Sequence, residues 1–548
     1  MTYPLGSMDQ KPSARFPAWL EDAIIYEIYP QSFYDSNSDG IGDIPGIIAK
    51  LDYLQSLGIN VCWLNPCFES PFHDAGYDIS DYCKVAPRYG TNIDLKHLID
   101  EARIRGIRIL LDLVPGHTSI EHPWFKAACK HERNEYSDYY IFTDSAWKWD
   151  VPGYRVVNGF SERDASYLTN FFYFQPALNY GFALPDPAQP WQQPVDAPGP
   201  QKVRQEIKNI MRFWLETGVS GFRVDMAMSL VKGDLGNRET IRLWQEIRTW
   251  LDKDFPDACL LSEWGVPSQS IQAGFHLDFC LPFGMPGYTS LLRKPDGPGP
   301  GTDPYGFSFF DPLGNGNIME FLDDYIKHYR NIQGKGFMAF PTGNHDINPR
   351  LSKGRSVDDL ELVFLFLLTM PGVPVIYYGD EIGMRTLEGL PSKEGGYNRT
   401  GSRTPMQWAD TINSGFSAAM PEKLYLPVDP SFDRPTVAQQ LDDPDSLLHR
   451  VQKIMAIRKT HSALQASGNF EVIFAQAGGY PLIFRRENNT EAFLIAINPS
   501  ARPVETRLSP IAASLPKTIY GIDGVFTKDN DHWKIKLPGI SGGIYRIN

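Results

Sequence analysis

The sequence predicts an α/β protein: a (β/α)8 TIM barrel interrupted by an inserted domain and followed by a C-terminal antiparallel β-sandwich domain. Three observations predict it. Short apolar segments recur through most of the chain with amphipathic segments between them. Polar residues collect where those apolar segments end. Beyond residue 468 the pattern changes to alternation with period two, broken by turn residues.

The candidate strands are 24–29, 60–65, 107–114, 221–225, 259–263, 276–280, 337–342 and 373–378. They are apolar on both faces, as parallel strands must be when helices cover the sheet. Between the third and fourth, Val203, Ile207, Ile210, Met211, Trp214 and Leu215 have helical spacing, and Gly218 provides a stop. Eight strands alternating with helices imply the barrel. About 100 residues separate the third strand from the fourth, too many for one helix. Residues 118–185 of that gap, rich in Tyr, Phe, Asn and Pro, are expected to form the inserted domain. A Gly/Pro-rich stretch over 283–315 reads as a long loop above the barrel mouth. The longest apolar stretch, 362–378, is cut by Pro371, Gly372 and Pro374. It is too short for a membrane span and reads as a buried helix, a turn and a buried strand. A helix is expected over 448–460, and β-strands over 480–485 and 492–498. The barrel is thus assigned to 17–117 and 186–467, the insertion to 118–185 and the C-terminal β domain to 468–548. Residues 1–16 are expected to be a tag or a disordered N-terminus, with no apolar core of a signal peptide.

Hydrophobic residues at 42% and charged residues at 21% give a large core and exclude general disorder. A net charge of −13 argues against a nucleic-acid partner, and nothing points to a membrane. Six cysteines without a CxxC pair are too sparse for a disulfide framework, so a reducing, cytoplasmic setting is expected. The 12 Trp and 26 Tyr suit a large core and equally a surface on which sugar faces stack. The expected partner is a small oligosaccharide or disaccharide; oligomeric state is not written in the sequence.

The strand ends carry Asp112 and His117, Arg223 and Asp225, Glu263, and Asn344, His345 and Asp346. A single carboxylate at a strand end often caps the next helix. Several from four strands on one barrel mouth point instead to chemistry. Retaining glycoside hydrolysis needs such a set: one ionised carboxylate as nucleophile and a second carboxyl as acid/base, about 5–5.5 Å apart. Arg223 lies two residues before Asp225, on the same side of its strand, and is expected to keep it ionised. Glu263 follows Leu260, Leu261 and Ser262 and precedes Trp264; partly apolar surroundings would raise its pKa, as a proton donor requires. A further motif, DSNSDGIGD, places Asp35, Asn37, Asp39, Ile41 and Asp43 at alternate positions with Gly40 in the turn. Such oxygen ligands suit a hard cation, Ca2+, in a structural role away from the carboxylates.

Taken together, these motifs resemble glycoside hydrolase family 13, the α-amylase superfamily, and within it the oligo-1,6-glucosidase/α-glucosidase branch, from about residue 20 to 548. The resemblance implies Asp225 as nucleophile, Glu263 as acid/base and Asp346 as the third carboxylate, holding the sugar 2- and 3-hydroxyls. It implies that His117 and His345 bind the same glucosyl unit, with Tyr77 as its stacking platform. Residues 118–185 would be the family's domain B, the C-terminal β domain its domain C, and the acidic loop its metal loop. GYDISDY follows Asp74, and NRTGSRTPMQW carries Arg399 and Arg403. In related α-glucosidases an aspartate and an arginine at these places pair to close the non-reducing end, which implies exo-action.

The sequence also departs from the family. QPALN, Gln175 to Asn179, has Ala177 where the branch marker has Asp. Met226 follows the nucleophile where Val accompanies α-1,6 preference and Ala or Thr α-1,4; its side chain is expected to border the leaving-group subsite. Met228 and Ser229 replace the Lys-His pair of α-amylases, which weakens an endo-acting reading. The expected activity is a retaining, exo-acting α-glucosidase on short oligosaccharides or disaccharides, working through a covalent glucosyl-aspartate. The alternative is a transglucosidase or a sugar isomerase, trehalose synthase-like or sucrose isomerase-like, with the same intermediate. A non-catalytic transporter ectodomain of similar fold would bring a membrane span and an incomplete catalytic set, neither of which matches.

Overall fold

Strand β1, Ile25–Ile28, has no exposed residue, and the same holds for β2, Val61–Leu64. In β3, Arg108–Leu113, only Arg108 is exposed. The strands β4 (Gly221–Val224), β5 (Cys259–Ser262), β6 (Leu277–Phe279), β7 (Phe337–Pro341) and β8 (Val373–Tyr377) are buried throughout. In this computed structural model, which describes residues 16–547 except 149, 294–307, 396, 511–513, 524, 530 and 531, the eight strands close into a barrel. Each pairs in parallel with its neighbours in the chain, and β1 pairs with β8. All eight expected strands are present.

Alternation along each strand divides the apolar residues into two layers. Ile25, Trp63, Leu110, Leu261, Leu277, Phe279, Ala339 and Val375 fill the barrel interior. Tyr26, Cys62, Ile109, Leu111, Phe222 and Leu260 face the surrounding helices. The same alternation decides where the polar groups go. Glu27 and Asp112 follow Ile25 and Leu110 by two residues, and Glu263 follows Leu261 by two, so these carboxylates continue the interior face upward to the mouth. In register, Asp112 of β3 lies directly beside Arg223 of β4.

The helix Pro198–Thr217 that leads into β4 begins with Pro in its first turn, where no N–H partner is needed. It buries Val203, Ile207, Ile210, Met211, Trp214 and Leu215, and Gly218 ends it at φ 114°. The apolar stretch 362–378 is helix Val357–Thr369 followed by β8. That helix is apolar almost all round because it is covered on two sides: Leu362 and Leu365 also meet Gly542 of the C-terminal sheet.

Between β3 and β4 lie helix Pro123–Ala128, a short pair Val156–Val157 with Tyr167–Leu168, and a nest of rings formed by Phe125, Tyr140, Phe142 and Tyr167. The expected loop over 283–315 is not wholly a loop. Pro286–Leu292 is a helix, started by its proline and held by burial of Tyr288, Leu291 and Leu292; the part from 294 to 307 lies outside the described residues. The expected N-terminal segment 1–16 also lies outside them, apart from Phe16, whose ring packs edge-on against Phe337.

The chain ends in two antiparallel sheets. One has the order Asn469–Phe474, Leu482–Glu487, Ala492–Asn498, Ser541–Ile547, Lys517–Gly521; the other is Val504–Leu508, His532–Leu537, Phe526–Asp529. Ile483, Leu494 and Tyr545 of the first pack with Leu508, Trp533 and Ile535 of the second. No helix among the described residues is long and apolar enough to cross a membrane. All six cysteines are free thiols.

Candidate active site

Arg223 is the hub of the barrel mouth. Its Nη1 donates to Asp112 Oδ1 at 2.8 Å and to Asp225 Oδ1 at 3.0 Å, and its Nη2 lies 2.9 Å from Glu263 Oε2. Three carboxylates from three strands thus share one buried guanidinium. Asp112 is fixed further by Tyr77 OH at 2.9 Å and Trp63 Nε1 at 3.1 Å. Asp225 and Glu263 are each the first residue beyond a strand. The Asp225 amide donates to Leu113 O and the Glu263 amide to Val224 O, both at 2.9 Å, so each carboxylate is aimed by the strand beside it. After Asp225 the chain turns sharply, with Met226 at φ 41°. This turn sends the Met226 amide to Glu263 Oε2, at 3.0 Å.

Two expectations about charge need correction. The Glu263 carboxylate is not left among apolar groups: a guanidinium and a backbone amide bind it. Of its apolar chain neighbours only Leu261 shares its face of the strand; Leu260 and Trp264 point the opposite way. Nor does Arg223 simply hold Asp225 ionised. Burial, together with the neighbouring charge of Glu263, pushes the Asp225 carboxyl well above its usual range, and Arg223 only opposes this. Burial also raises Asp112, to about 6. Asp112, Asp225 and Glu263 thus share one guanidinium, whose charge is too little to offset burial at Asp112 and Asp225.

A second cluster lies beside the first. Arg399 pairs with both Asp74 and Asp346, and Arg403 Nη2 reaches Asp346 Oδ1 at 2.9 Å. Burial alone would raise Asp346, but His345, Arg399 and Arg403 outweigh it and hold the carboxyl well below its usual range. Asp74 is raised by burial despite Arg399, and Gln175 Nε2 donates to its other oxygen at 2.8 Å. The pair expected between Asp74 and Arg399 is therefore present, and Gln175 of QPALN braces it.

Burial disfavours the charged form of both site histidines. Burial lowers His117 to about 3. Its Nε2 donates to Tyr77 O at 3.1 Å, which leaves Nδ1 to accept from Asn170 Nδ2 at 3.3 Å. Burial also holds His345 well below its usual value. Its ring stacks on Tyr77, with centroids 5.2 Å apart and planes at 13°. Its Nδ1 lies 2.7 Å from Glu27 Oε1 and 3.0 Å from Asn65 Nδ2, while Nε2 faces Asp346 Oδ2 at 3.5 Å.

Met226 is half-buried, with its Sδ 3.8 Å from Asn170 Nδ2. Sequence reasoning assigned no role to Glu27, Asn65, Asn170 or Gln175, all of which touch site residues. Glu27 was findable as a lone charge two residues after Ile25 on the interior face of β1. Asn65 was findable in the same way, two residues after Trp63, and Gln175 as the first residue of QPALN; Asn170 is brought in across the fold and leaves no local signal.

The five residues of the acidic loop follow the C-terminal end of β1, between it and helix Ile44–Ala49. Asp35 accepts from the amides of Asn37, Ser38 and Gly40 and from Ser417 Oγ, and Asn37 and Asp39 each accept from the amide two residues on. Asp43 caps helix Ile44–Ala49, accepting from Gly46 N at 2.6 Å. The donors at these positions are all oxygens, including the Ile41 carbonyl, which fits a hard cation in kind. Among the described residues, no group of three His, Cys, Asp or Glu side chains is gathered for a metal.

The family model described as alpha amylase, catalytic domain, matches residues 27–467. The oligo-1,6-glucosidase of Parageobacillus thermoglucosidasius is 31% identical, over 89% of this chain and 92% of that protein. The trehalose synthase/amylase of Mycolicibacterium smegmatis is 32% identical, over 92% of this chain and 88% of that one. Among solved structures, the trehalulose synthase of Pseudomonas mesoacidophila MX-45 superposes with a TM-score of 0.78 at 25% identity, covering 97% of this chain and 99% of that one.

Proposed function

Since this chain belongs to the α-amylase family and is a glycoside hydrolase of the α-glucosidase type, we propose that it cleaves α-glucosidic bonds at the non-reducing end of short oligosaccharides or disaccharides, with retention. The observation that carries this reading is the grip of Asp112, Asp225 and Glu263 on one guanidinium beside the Asp74–Arg399 pair. In the first step Asp225 attacks the anomeric carbon and Glu263 gives its proton to the leaving oxygen, forming a glucosyl-aspartate. In the second, Glu263 takes a proton from the acceptor hydroxyl, whose oxygen displaces Asp225. Arg223, which reaches both Asp225 and Glu263, would steady the carboxylate charge as it passes from one to the other. Asp346, held ionised by Arg399 and Arg403, would accept from the sugar 2- and 3-hydroxyls. Asp74 and Arg399 would close the pocket beyond the glucosyl unit.

The relatives support a second reading, in which the acceptor is a sugar. They include trehalose synthases as well as glucosidases. Both readings share the first step and differ in whether water or a sugar hydroxyl arrives in the second. A panel of maltose, isomaltose, trehalose, sucrose and maltotriose, followed by NMR, tests them. Hydrolysis predicts α-glucose as the first product; transfer predicts a new disaccharide before free glucose. Initial β-glucose would contradict retention in either case.

Ca2+ is proposed for the acidic loop, held by Asp35, Asn37, Asp39, the Ile41 carbonyl and Asp43. Bound there it would tie the loop after β1 and add binding energy present only in the folded state. EDTA is expected to lower the melting temperature while leaving the chemical step intact, and Asp39→Ala to remove that sensitivity. An EDTA-insensitive protein with no calcium by elemental analysis would make the loop a helix-capping turn only.

A further inference from the structure

Asp278 sits in the middle of β6 with no exposed surface, and the mechanism above does not use it. Its neighbours Leu277 and Phe279 face the barrel interior, so Asp278 faces the opposite way, behind the sheet and away from the sugar. A carboxyl at such a position is costly unless its oxygens are occupied. One oxygen is: Oδ1 accepts from Ser262 Oγ at 2.7 Å, from Trp264 N at 3.0 Å and from Gly265 N at 3.2 Å. These donors flank Glu263 on both sides. Ser262 Oγ is in turn 2.6 Å from Ser270 Oγ on helix Pro267–Gln272.

The backbone of Glu263 itself is held from β4 and the turn after it. Glu263 N donates to Val224 O at 2.9 Å, and Glu263 O accepts from Ala227 N at 3.1 Å. Just beyond, the chain at Gly265 takes φ 78°, and its amide and that of Trp264 both turn inward to Asp278. Without Asp278 those two buried amides would lose their acceptor, and the turn would keep the bonds of Glu263 to Val224 and Ala227 but lose those just beyond it.

We propose that Asp278 is a positioning residue for Glu263: it clamps the turn on which the proton donor is carried, from the face of the sheet opposite the substrate. This rests on the role assigned to Glu263 above. Burial pushes the Asp278 carboxyl up to about 7. The clamp does not require ionisation, because a proton on Oδ2, which is buried and has no hydrogen-bond partner among the described residues, leaves Oδ1 free to accept.

Two substrates separate positioning of the proton donor from general damage. Maltose needs its leaving oxygen protonated; α-glucosyl fluoride does not. Asp278→Val keeps the volume and suits a buried strand but removes the acceptor. It is expected to lower kcat/KM on maltose roughly a hundredfold, the scale of an ångström-sized misplacement, while α-glucosyl fluoride stays close to the unaltered enzyme. Asp278→Asn, which keeps an oxygen towards the amides, should restore most of the maltose rate. Ser262→Ala, a milder change at the same oxygen and a second test should Asp278→Val not fold, should give a smaller loss that is again confined to maltose. Equal losses on both substrates, or none, would overturn the proposal. If the unaltered enzyme acts on neither substrate, the functional reading fails; if it acts on both and the variants lose both equally, only the role of Asp278 fails.

Discussion

Asp225→Asn and Glu263→Gln are each expected to lower turnover by about 10^4-fold or more, with melting temperatures close to that of the unaltered protein. The loss is large because no other carboxylate stands in for either. Asp112 is turned to Arg223, Tyr77 and Trp63, and Asp346 to Arg399 and Arg403. The fold should tolerate both changes, since each keeps the side chain's shape and adds no charge to a cluster that holds three carboxylates against one guanidinium. Azide assigns the roles. With Glu263→Ala it should displace the covalent glucosyl unit and yield α-glucosyl azide. With Asp225→Gly it should attack directly and yield the β anomer. The opposite anomers would exchange the two roles; ordinary turnover in either variant would end the assignment.

Arg399→Ala is expected to lower kcat/KM by roughly 10^2- to 10^3-fold, because removing one partner of a buried ion pair leaves the other uncompensated. Two carboxylates lose their partner at once. Asp74, raised by burial, would keep only Gln175, and Asp346 would keep Arg403 and His345. The product pattern should change as well. With the pocket closed, maltoheptaose releases glucose alone from its non-reducing end. With Arg399 removed, longer products should appear among the first to leave. Time-resolved chromatography reads both. Early maltose and maltotriose from the unaltered enzyme would show that Asp74 and Arg399 do not close the site.

The barrel was legible because its signal is local. Runs such as Val61–Leu64 and Val373–Tyr377 are apolar on both faces, and Gly218 ends the helix before β4 as its lack of a side chain allows. The carboxylates were legible for the same reason, as polar residues at the ends of apolar runs. Their electrostatics were not. Leu260 and Trp264 flank Glu263 in the chain but point the other way, and the guanidinium that binds its carboxylate comes from β4. The state of Asp225 is set by the sum of charges from three strands, which no single segment contains. The brace from Gln175 to Asp74 spans 101 residues and the contact of Glu27 with His345 spans 318, so neither has a periodicity to betray it. In the 283–315 stretch glycine and proline suggested only a loop. There Pro286 starts a helix, and burial of Leu291 and Leu292 holds it.

The central claim is that a glucosyl unit becomes covalently bound to Asp225. A 5-fluoro-α-glucosyl fluoride forms that bond quickly but releases it slowly, since the ring fluorine destabilises the second transition state while fluoride leaves without protonation. After incubation and digestion, mass spectrometry should find the peptide spanning Gly221 to Asp225 heavier by one fluoroglucosyl unit, with fragmentation placing it on Asp225. An adduct on Glu263 or Asp346, or an enzyme that turns over with inversion and forms no adduct, would contradict the account.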